Sequence, residues 1–223
     1  MSDPVNRRRY QSAARQDQAR QTRRAIVAAA HRLFLERGFA ATTMPAIAEA
    51  AGVSVQTVYK GFASKPGLAK AVFDMAIAGD DEPVAMVERA ALRRVREERD
   101  PRRMLVLYGR FISEVAPRHV PVQLVIRDAA SNDPDARQVW DELQSERLRG
   151  MTMFARGLHE AGHLRPGVSV NEARDVLWTY NSAELYELLV IGRGWSPARY
   201  GRWVGSALTA ALLRPDGPAT GRD

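Results

Sequence analysis

Three residues in the stretch HEAGH, His159, Glu160 and His163, have the types and spacing of a zinc-hydrolase motif. In the pattern H-E-x-x-H the two histidines stand one helical turn apart and can hold one metal ion. The glutamate between them can then activate a water molecule. The motif raises the hypothesis of a zinc-dependent hydrolase.

The surroundings of this motif do not support a metal site. A catalytic zinc ion needs a third protein ligand, but no histidine follows His163 and nothing singles out a later acid such as Glu184. Gly162, Pro166 and Gly167 predict that the helix ends at this point. We therefore expect no metal, no cofactor and no catalytic residue, and the hydrolase remains the minor alternative.

A second set of polar residues lies between Thr42 and Leu68, in TTMPAIAEAAGVSVQTVYKGFASKPGL. Thr43 can cap a short helix, Gly52 allows the positive φ of a tight turn, and Ser54 can cap a second short helix through Phe62. Two short helices joined by a glycine-containing turn form a helix-turn-helix, whose second helix lies in the DNA major groove.

The predicted second helix carries side chains suited to DNA. Gln56 can pair with adenine through two hydrogen bonds, and Thr57 can contact several base edges or a thymine methyl group. Tyr59, Lys60 and Lys65 suit phosphates, which fix the register of a protein on DNA without reading its sequence. Ser54, at the start of this helix, is a further DNA-binding candidate.

The net charge of +7 is concentrated at the N-terminal end. Residues 1–24 contain seven Arg and two Asp, and residues 25–79 contain five basic and three acidic residues. Residues 80–223 contain 21 of each sign. A basic first third followed by a neutral remainder is typical of proteins that bind a polyanion such as nucleic acid.

Helical spacing recurs along the whole chain and no segment alternates as a strand does, so we expect an all-α protein. The first helix should have an apolar face and end at Gly38. Further helices are predicted to start at Asp100-Pro101, Asp133-Pro134, Ser169 and Ser196-Pro197, where a capping residue stands at the start of an apolar stripe. The apolar face of the first helix consists of Ile26, Ala30, Leu33 and Phe34.

Composition and helical pattern together predict the domains. We expect a flexible basic arm at 1–19, a helix-turn-helix domain at 20–79, a larger helical domain at 80–214 and a disordered tail at 215–223. The sequence has no secretion signal and no apolar run of membrane-spanning length, which predicts a cytoplasmic protein without a membrane partner. The absence of cysteine excludes disulfides and thiolate zinc sites.

The pattern T-T-M-x-x-I-A-x-x-A-G-V-S-x-x-T-V-Y-x-x-F-x-S-K-x-x-L resembles the DNA-binding domain of the TetR (AcrR) family of transcriptional regulators. The similarity covers about residues 20–79 and is looser beyond them. It implies an N-terminal three-helix helix-turn-helix domain followed by a larger helical domain. The family relationship also implies a homodimer and a small effector bound in the larger domain.

Family positions transferred to this chain place phosphate contacts on Thr43, Tyr59 and Lys65, and base contacts on Val55, Gln56 and Tyr59. The chain departs from the family pattern at two positions, Gly61 and Pro45, each of which removes a side-chain donor to DNA. Arginines near the N-terminus could compensate by reaching a minor groove or nearby phosphates. These arginines are Arg7, Arg8, Arg9, Arg20, Arg23 and Arg24.

The second half contains aromatic and methionine residues that suit an apolar effector pocket, although each such residue is more often plain core. Arg127 could hold a polar ligand group or pair with Asp128 on the surface. Asn181 and Glu184 could contact an effector, lie in a dimer interface or face solvent. The full set of effector candidates is Tyr108, Phe111, Arg127, Trp140, Met151, Phe154 and Trp178.

The last two helices, about 171–191 and 197–213, are predicted to form the homodimer, because their aromatic residues suit an interface. These residues are Trp178, Tyr180, Leu188, Tyr200 and Trp203. The sequence thus predicts a dimeric, sequence-specific DNA-binding regulator, and in function a repressor released by an unknown effector. A nonspecific architectural DNA-binding protein is the alternative from another class, and the large neutral second half disfavours it.

Overall fold

The computed structural model describes residues 4–80, 82, 84 and 86–215, with side chains for all of these except 4–14 and residue 87. Within this part of the chain the regular structure is helical, apart from one antiparallel bridge between Leu164 and Leu213. The all-α prediction is confirmed. None of the described helices is both long enough and apolar enough to cross a membrane.

The helices follow one another with short connections. They are α1 (Pro4–Ala41), α2 (Met44–Ala50), α3 (Val55–Phe62), α4 (Lys65–Ala78), α5 (Ala90–Glu97), α6 (Pro101–Ala129), α7 (Pro134–Glu160), α8 (Val170–Tyr180), α9 (Ala183–Tyr186) and α10 (Pro197–Leu212). A 3₁₀ turn at Met86–Glu88 precedes α5, and a wider π-helical turn at Glu187–Gly192 follows α9.

The chain divides into two compact units. The first consists of Met1–Ala76 and Pro121–Trp140, and the second of Ile77–Val120 and Asp141–Asp223. The predicted domain border after residue 79 lies close to the break at Ala76, but residues 121–140 belong to the first unit. An apolar stripe shows which face of a long helix is buried, but not where along the helix its packing partner changes.

The core of the first unit is built on the predicted apolar face of α1. Ile26, Ala30, Leu33 and Phe34 have at most 2% of their surface exposed, and they pack in a unit that also buries Ile47. Gly38 takes φ +80°, a left-handed conformation that kinks α1 at the predicted position.

Every predicted capping residue is used. The carboxylates of Asp100 and Asp133 accept from the backbone N–H groups of Arg102 and Asp135, each at 2.9 Å. The hydroxyls of Ser169 and Ser196 accept from backbone N–H groups at the starts of α8 and α10, at 3.1 and 3.2 Å. Caps are local interactions, which explains why the sequence predicts these helix starts correctly.

Two expectations differ from the structure, and a third lies mostly outside the described residues. Residues 4–19, predicted as a flexible arm, continue α1 to its start at Pro4. The predicted helix at 171–191 is interrupted, because Asn181 ends α8 and the Ser182 hydroxyl caps α9 by accepting from the Leu185 N–H. Asn and Ser bond to nearby backbone and so favour helix ends over helix interiors. Of the tail predicted at 215–223, residues 216–223 lie outside the described residues.

In the second unit α6 and α10 approach closely at two glycines. A Cβ atom added to Gly109 would collide with the backbone oxygen of Gly201, and one added to Gly201 would collide with the backbone oxygen of Gly109. The absence of side chains at both positions is therefore what allows these two helices to pack at this distance.

Candidate nucleic-acid interface

Helices α2 and α3 form the predicted helix-turn-helix. The Thr43 hydroxyl accepts from the backbone N–H of Ala46 at 3.3 Å and caps α2, while Gly52 takes φ +66° in the turn. The Ser54 hydroxyl accepts from the backbone N–H of Thr57 at 3.1 Å and caps α3. Both caps and the glycine turn lie where the sequence places them, so the orientation of α3 follows from local chemistry.

Helix α3 has one buried face and one exposed face. Val58 and Phe62 are buried in the first unit. Val55, Gln56 and Tyr59 are exposed, together with Lys60, and 49% of the Tyr59 surface is accessible. Because residues four apart share a helix face, Val55 lies beside Tyr59, and Gln56 beside Lys60. The predicted base-reading residues therefore form one continuous accessible surface.

Ser54 and Thr57 differ from the other candidates, because their side chains bond to each other. Their two hydroxyl oxygens are 2.8 Å apart, in addition to the capping bond. Their first role is to hold the start of α3.

Lys65 stands at the first position of α4 and is anchored within the first unit. Its Nζ lies 4.2 Å from the centre of the Phe39 ring and donates to the carbonyl oxygen of Ala40 at 3.4 Å. Partial burial lowers the pKa of Lys65, and the carboxylates of Asp133 and Asp135 partly offset this effect. The contacts hold the ammonium group at a helix N-terminus, where backbone N–H groups also favour an anion.

Arg23, one of the N-terminal arginines predicted to reach DNA, contacts α3. Its Nη1 donates to the carbonyl oxygen of Gly61 at 3.3 Å, and its guanidinium carbon lies 4.4 Å from the centre of the Phe62 ring. Arg20 is exposed on α1. The side chains of Arg7, Arg8 and Arg9 lie outside the described ones.

Sequence reasoning assigned no role to Thr42, which is almost fully buried. Its hydroxyl oxygen lies 2.8 Å from the carbonyl oxygen of Gly38 and 3.1 Å from that of Leu33, so the hydroxyl can donate to either. It thereby fixes the end of α1 just before α2 begins. A threonine directly before a capping threonine is the only sequence signal for this contact.

The two positions that depart from the family pattern are both exposed. Pro45 lies in the first turn of α2, where proline lacks only an N–H that the helix does not use. Gly61 has a free surface, since an added Cβ would meet no atom within 4 Å. Neither residue distorts the helix-turn-helix.

Most of the predicted effector residues lie in the second unit. The Tyr108 hydroxyl donates to the Met151 sulfur at 3.4 Å, and the Tyr108 ring meets the Phe154 ring edge-on at 5.0 Å between centroids. The Phe111 ring stacks at 6.2 Å from Tyr108. Burial raises the pKa of Tyr108 far above its ordinary value, so the phenol is neutral.

Arg127 and Trp140 do not belong to this group, because both lie in the first unit. The Arg127 guanidinium pairs with the Asp128 carboxylate at 2.8 Å, which is the surface ion pair considered above. Trp178 belongs to the second unit, where its ring lies 4.3 Å from the guanidinium carbon of Arg147. The sequence analysis gave Arg147 no role, although an arginine within the apolar stripe of α7 was a signal that it packs in an unusual place.

The HEAGH stretch forms a helix end, as predicted. Helix α7 ends at Glu160 and Gly162 takes φ +70°. The N–H of Gly162 donates to the carbonyl oxygen of His159, and the N–H of His163 to that of Leu158, each at 2.9 Å. These two bonds are the Schellman ending of a helix. In the described part of the chain no group of three or more His, Asp and Glu residues could hold a metal ion.

The fold and the exposed face of α3 define a helix-turn-helix protein with a larger helical second unit. Residues 26–72 match the family model described as bacterial regulatory proteins, tetR family. The resemblance to the TetR family found in the sequence is therefore confirmed over these residues. No curated protein matches the sequence.

Solved structures share the fold over nearly their whole length. NalD of Pseudomonas aeruginosa, the secondary repressor of the MexAB-OprM multidrug efflux pump, is 21% identical, with a TM-score of 0.70 over 90% of this chain and 100% of NalD. FadR of Bacillus subtilis in complex with stearoyl-CoA is 20% identical, with a TM-score of 0.64 over 82% and 96%. The SmeT–triclosan complex is 22% identical, with a TM-score of 0.63 over 91% and 97%. At these identities the likeness concerns the fold.

Proposed function

We propose that this TetR-family regulator is a repressor that binds a palindromic operator as a homodimer and is released by a small effector. It acts on cytoplasmic DNA and catalyses no reaction. The exposed face of α3 is the observation that carries the proposal. That face combines a glutamine, a tyrosine and a lysine on a helix whose other face is anchored by Val58 and Phe62.

Base recognition is assigned to Val55, Gln56 and Tyr59. Gln56 is exposed and can present its amide to an adenine edge, while Val55 offers an apolar surface to a thymine methyl group. Thr57 contributes chiefly by holding the start of α3 through its bond to Ser54.

Phosphate contacts are assigned to Thr43, Tyr59, Lys60 and Lys65. Lys60 is exposed, and Lys65 is held at the start of α4 by its contact with Phe39. The concentration of positive charge in residues 1–79 supports this assignment, because neutralising DNA phosphates releases counterions and strengthens binding.

The dimer is assigned to 171–191 and 197–213. Leu188 and Ile191, in the turn after α9, expose 61% and 58% of their surfaces, which suits a protein interface. Tyr200 is only 1% exposed and is core, so it is removed from the predicted interface residues. Two recognition helices about 34–36 Å apart can read successive major grooves, which one short helix cannot do.

Release by an effector requires only that the effector binds one conformation of the dimer more tightly than the other. A coupling of about 1–3 kcal/mol is typical of such systems. The related folds include complexes with triclosan and with stearoyl-CoA, which supports an effector in the second unit of this chain.

The deciding experiment is fluorescence anisotropy with DNA from the intergenic region beside the protein's own gene, titrated against salt and a scrambled competitor. We expect two protein chains per palindrome and an affinity at least about a thousandfold higher than for scrambled DNA. Equal, salt-sensitive binding to both DNAs would instead favour a nonspecific architectural protein.

A further inference from the structure

Arg147 lies on the core-facing side of α7 in the second unit and is held firmly. Its Nη1 donates to the carbonyl oxygens of Trp178 and Asn181, each at 2.7 Å, and its Nη2 donates to Gln144 Oε1 at 2.7 Å. The guanidinium also stacks on the Trp178 ring. These contacts fix the group against the C-terminal end of α8, where helix carbonyls favour a positive charge.

Three nitrogen donors of this same cluster have no acceptor within the described part of the chain. They are Gln144 Nε2, Arg147 Nε and Trp178 Nε1, and all three atoms are buried. Buried donors in proteins are nearly always paired. Three unpaired donors on adjoining side chains could together be satisfied by the acceptor atoms of one bound molecule.

The charge of Arg147 is also left without a close counterion. No carboxylate in the described residues forms an ion pair with it, and Glu184 acts on it only from a longer distance. Burial lowers the pKa of Arg147, in keeping with an unbalanced charge. A buried arginine is usually paired with an anion.

The neighbouring surfaces are apolar and aromatic. Tyr108 lies close enough to Arg147 for the two groups to affect each other's pKa, and it contacts Met151 and Phe154. Gly150, one helical turn after Arg147 on α7, has open space around it, because an added Cβ would meet no atom within 4 Å.

We propose that Gln144, Arg147 and Trp178 bind the carboxylate of a small aromatic acid, whose ring packs on the neighbouring aromatic side chains. A carboxylate only accepts hydrogen bonds, so it matches three donors and balances the guanidinium charge. The site is the effector site of the regulator, and this regulatory role rests on the function proposed above. Binding itself does not depend on DNA.

The first test is calorimetric titration of the full chain with benzoate and phenylacetate, each paired with its neutral amide. The amides have nearly the same shape but present an NH₂ donor to a cluster of donors. We expect the acids to bind at least about tenfold more tightly than their amides and to raise the melting temperature.

Gln144→Glu is the informative variant, because it supplies an internal carboxylate that pairs with Arg147. We expect this protein to be at least as thermostable as the original and to lose acid binding at least about tenfold. Arg149→Gln is the matched control, since it removes an exposed charge from the same helix and should leave acid binding unchanged. Gly150→Leu should weaken acid binding by filling the open space.

Failure of this inference is separable from failure of the proposed function. Equal affinity for acid and amide, unchanged acid binding in Gln144→Glu, or no binding by either acid would overturn the carboxylate site, with the buried donors then satisfied by water alone. Specific operator binding would remain measurable in each of these cases. Acid binding by a protein without operator affinity would uphold the site and contradict the repressor.

Discussion

At the residue scale, Gln56 tests base recognition. Its side chain is exposed on α3, so we expect Gln56→Ala to leave folding stability within about 0.5 kcal/mol of the original. Loss of a bidentate contact should weaken operator binding by about 1–3 kcal/mol and leave scrambled DNA unaffected. Anisotropy titrations on both DNAs measure this, with Gln138→Ala on α7 as an exposed control. Equal losses on both DNAs would show that Gln56 reads no base.

Lys65 tests the phosphate contacts, and its packing decides the choice of substitution. Lys65→Met keeps an apolar chain against Phe39 and removes the ammonium charge. We expect weaker binding to all DNA and a salt slope reduced by about one unit. Arg156→Met removes an exposed charge from α7 and should change neither quantity. An unchanged slope in Lys65→Met would mean that Lys65 only holds α4 in place.

At the element scale, replacing glycine by alanine should raise folding stability at one position and lower it at another. Gly61 lies in an exposed helix with open space around it, so Gly61→Ala should raise stability by about 0.5–1 kcal/mol. Gly201→Ala forces a methyl group against the backbone of Gly109 and should lower stability by about 1–3 kcal/mol.

Thermal unfolding measures both effects. We expect the melting temperature to rise by about 1–4 °C in Gly61→Ala and to fall by at least about 2 °C in Gly201→Ala. A rise in both variants would show that helix propensity outweighs the close approach of α6 and α10, and a fall in both would contradict the open surroundings of Gly61.

Sequence reasoning succeeded for elements whose signals are local. The helix-turn-helix was predictable because Thr43, Gly52 and Ser54 act within three residues of themselves. The interruption at Asn181 was not predicted, because the apolar stripe continues past this position. Asn181 and Ser182, which end α8 and cap α9, were the local signals against a continuous helix. The cluster around Arg147 could not be predicted, because Arg147 bonds to the carbonyl groups of Trp178 and Asn181, which lie more than thirty positions away along the chain.

At the scale of the whole molecule, charge is distributed unevenly along the chain, and this matches the two functions proposed for its two parts. Positive charge is concentrated in residues 1–79, chiefly before the helix-turn-helix, while the larger second unit is built mainly from a segment of balanced charge. The assignment of 121–140 to the first unit was not predictable, because nothing in the sequence marks a change of packing partner within α6 or α7.

Buried histidines make folding stability depend on pH. In the second unit burial lowers the pKa of His119 to about 4, with nearby Arg118 and Arg147 adding to the effect and a bond to the Val115 carbonyl at 2.9 Å opposing it. In the first unit burial also lowers the pKa of His31. Both shifts favour the neutral imidazole in the folded chain.

The direction in which folding stability changes with pH follows from which state of the chain binds more protons. Below the ordinary pKa of 6.5 the unfolded chain binds a proton on His119 that the folded chain does not bind until about pH 4. Stability is therefore constant above about pH 6.5 and falls between 6.5 and 4. At pH 5 the loss from His119 alone is about 2 kcal/mol. Urea unfolding between pH 5 and 7.5, at fixed protein and salt concentrations, should show this slope.

The variant His119→Gln keeps a side-chain donor for the Val115 carbonyl and cannot titrate. It should lose most of the pH dependence attributed to His119, while His31→Gln removes only the contribution of the first unit. A slope that His119→Gln leaves unchanged would mean that the imidazole is charged or solvated in the folded protein. Stability that increases on acidification would contradict the burial of both histidines.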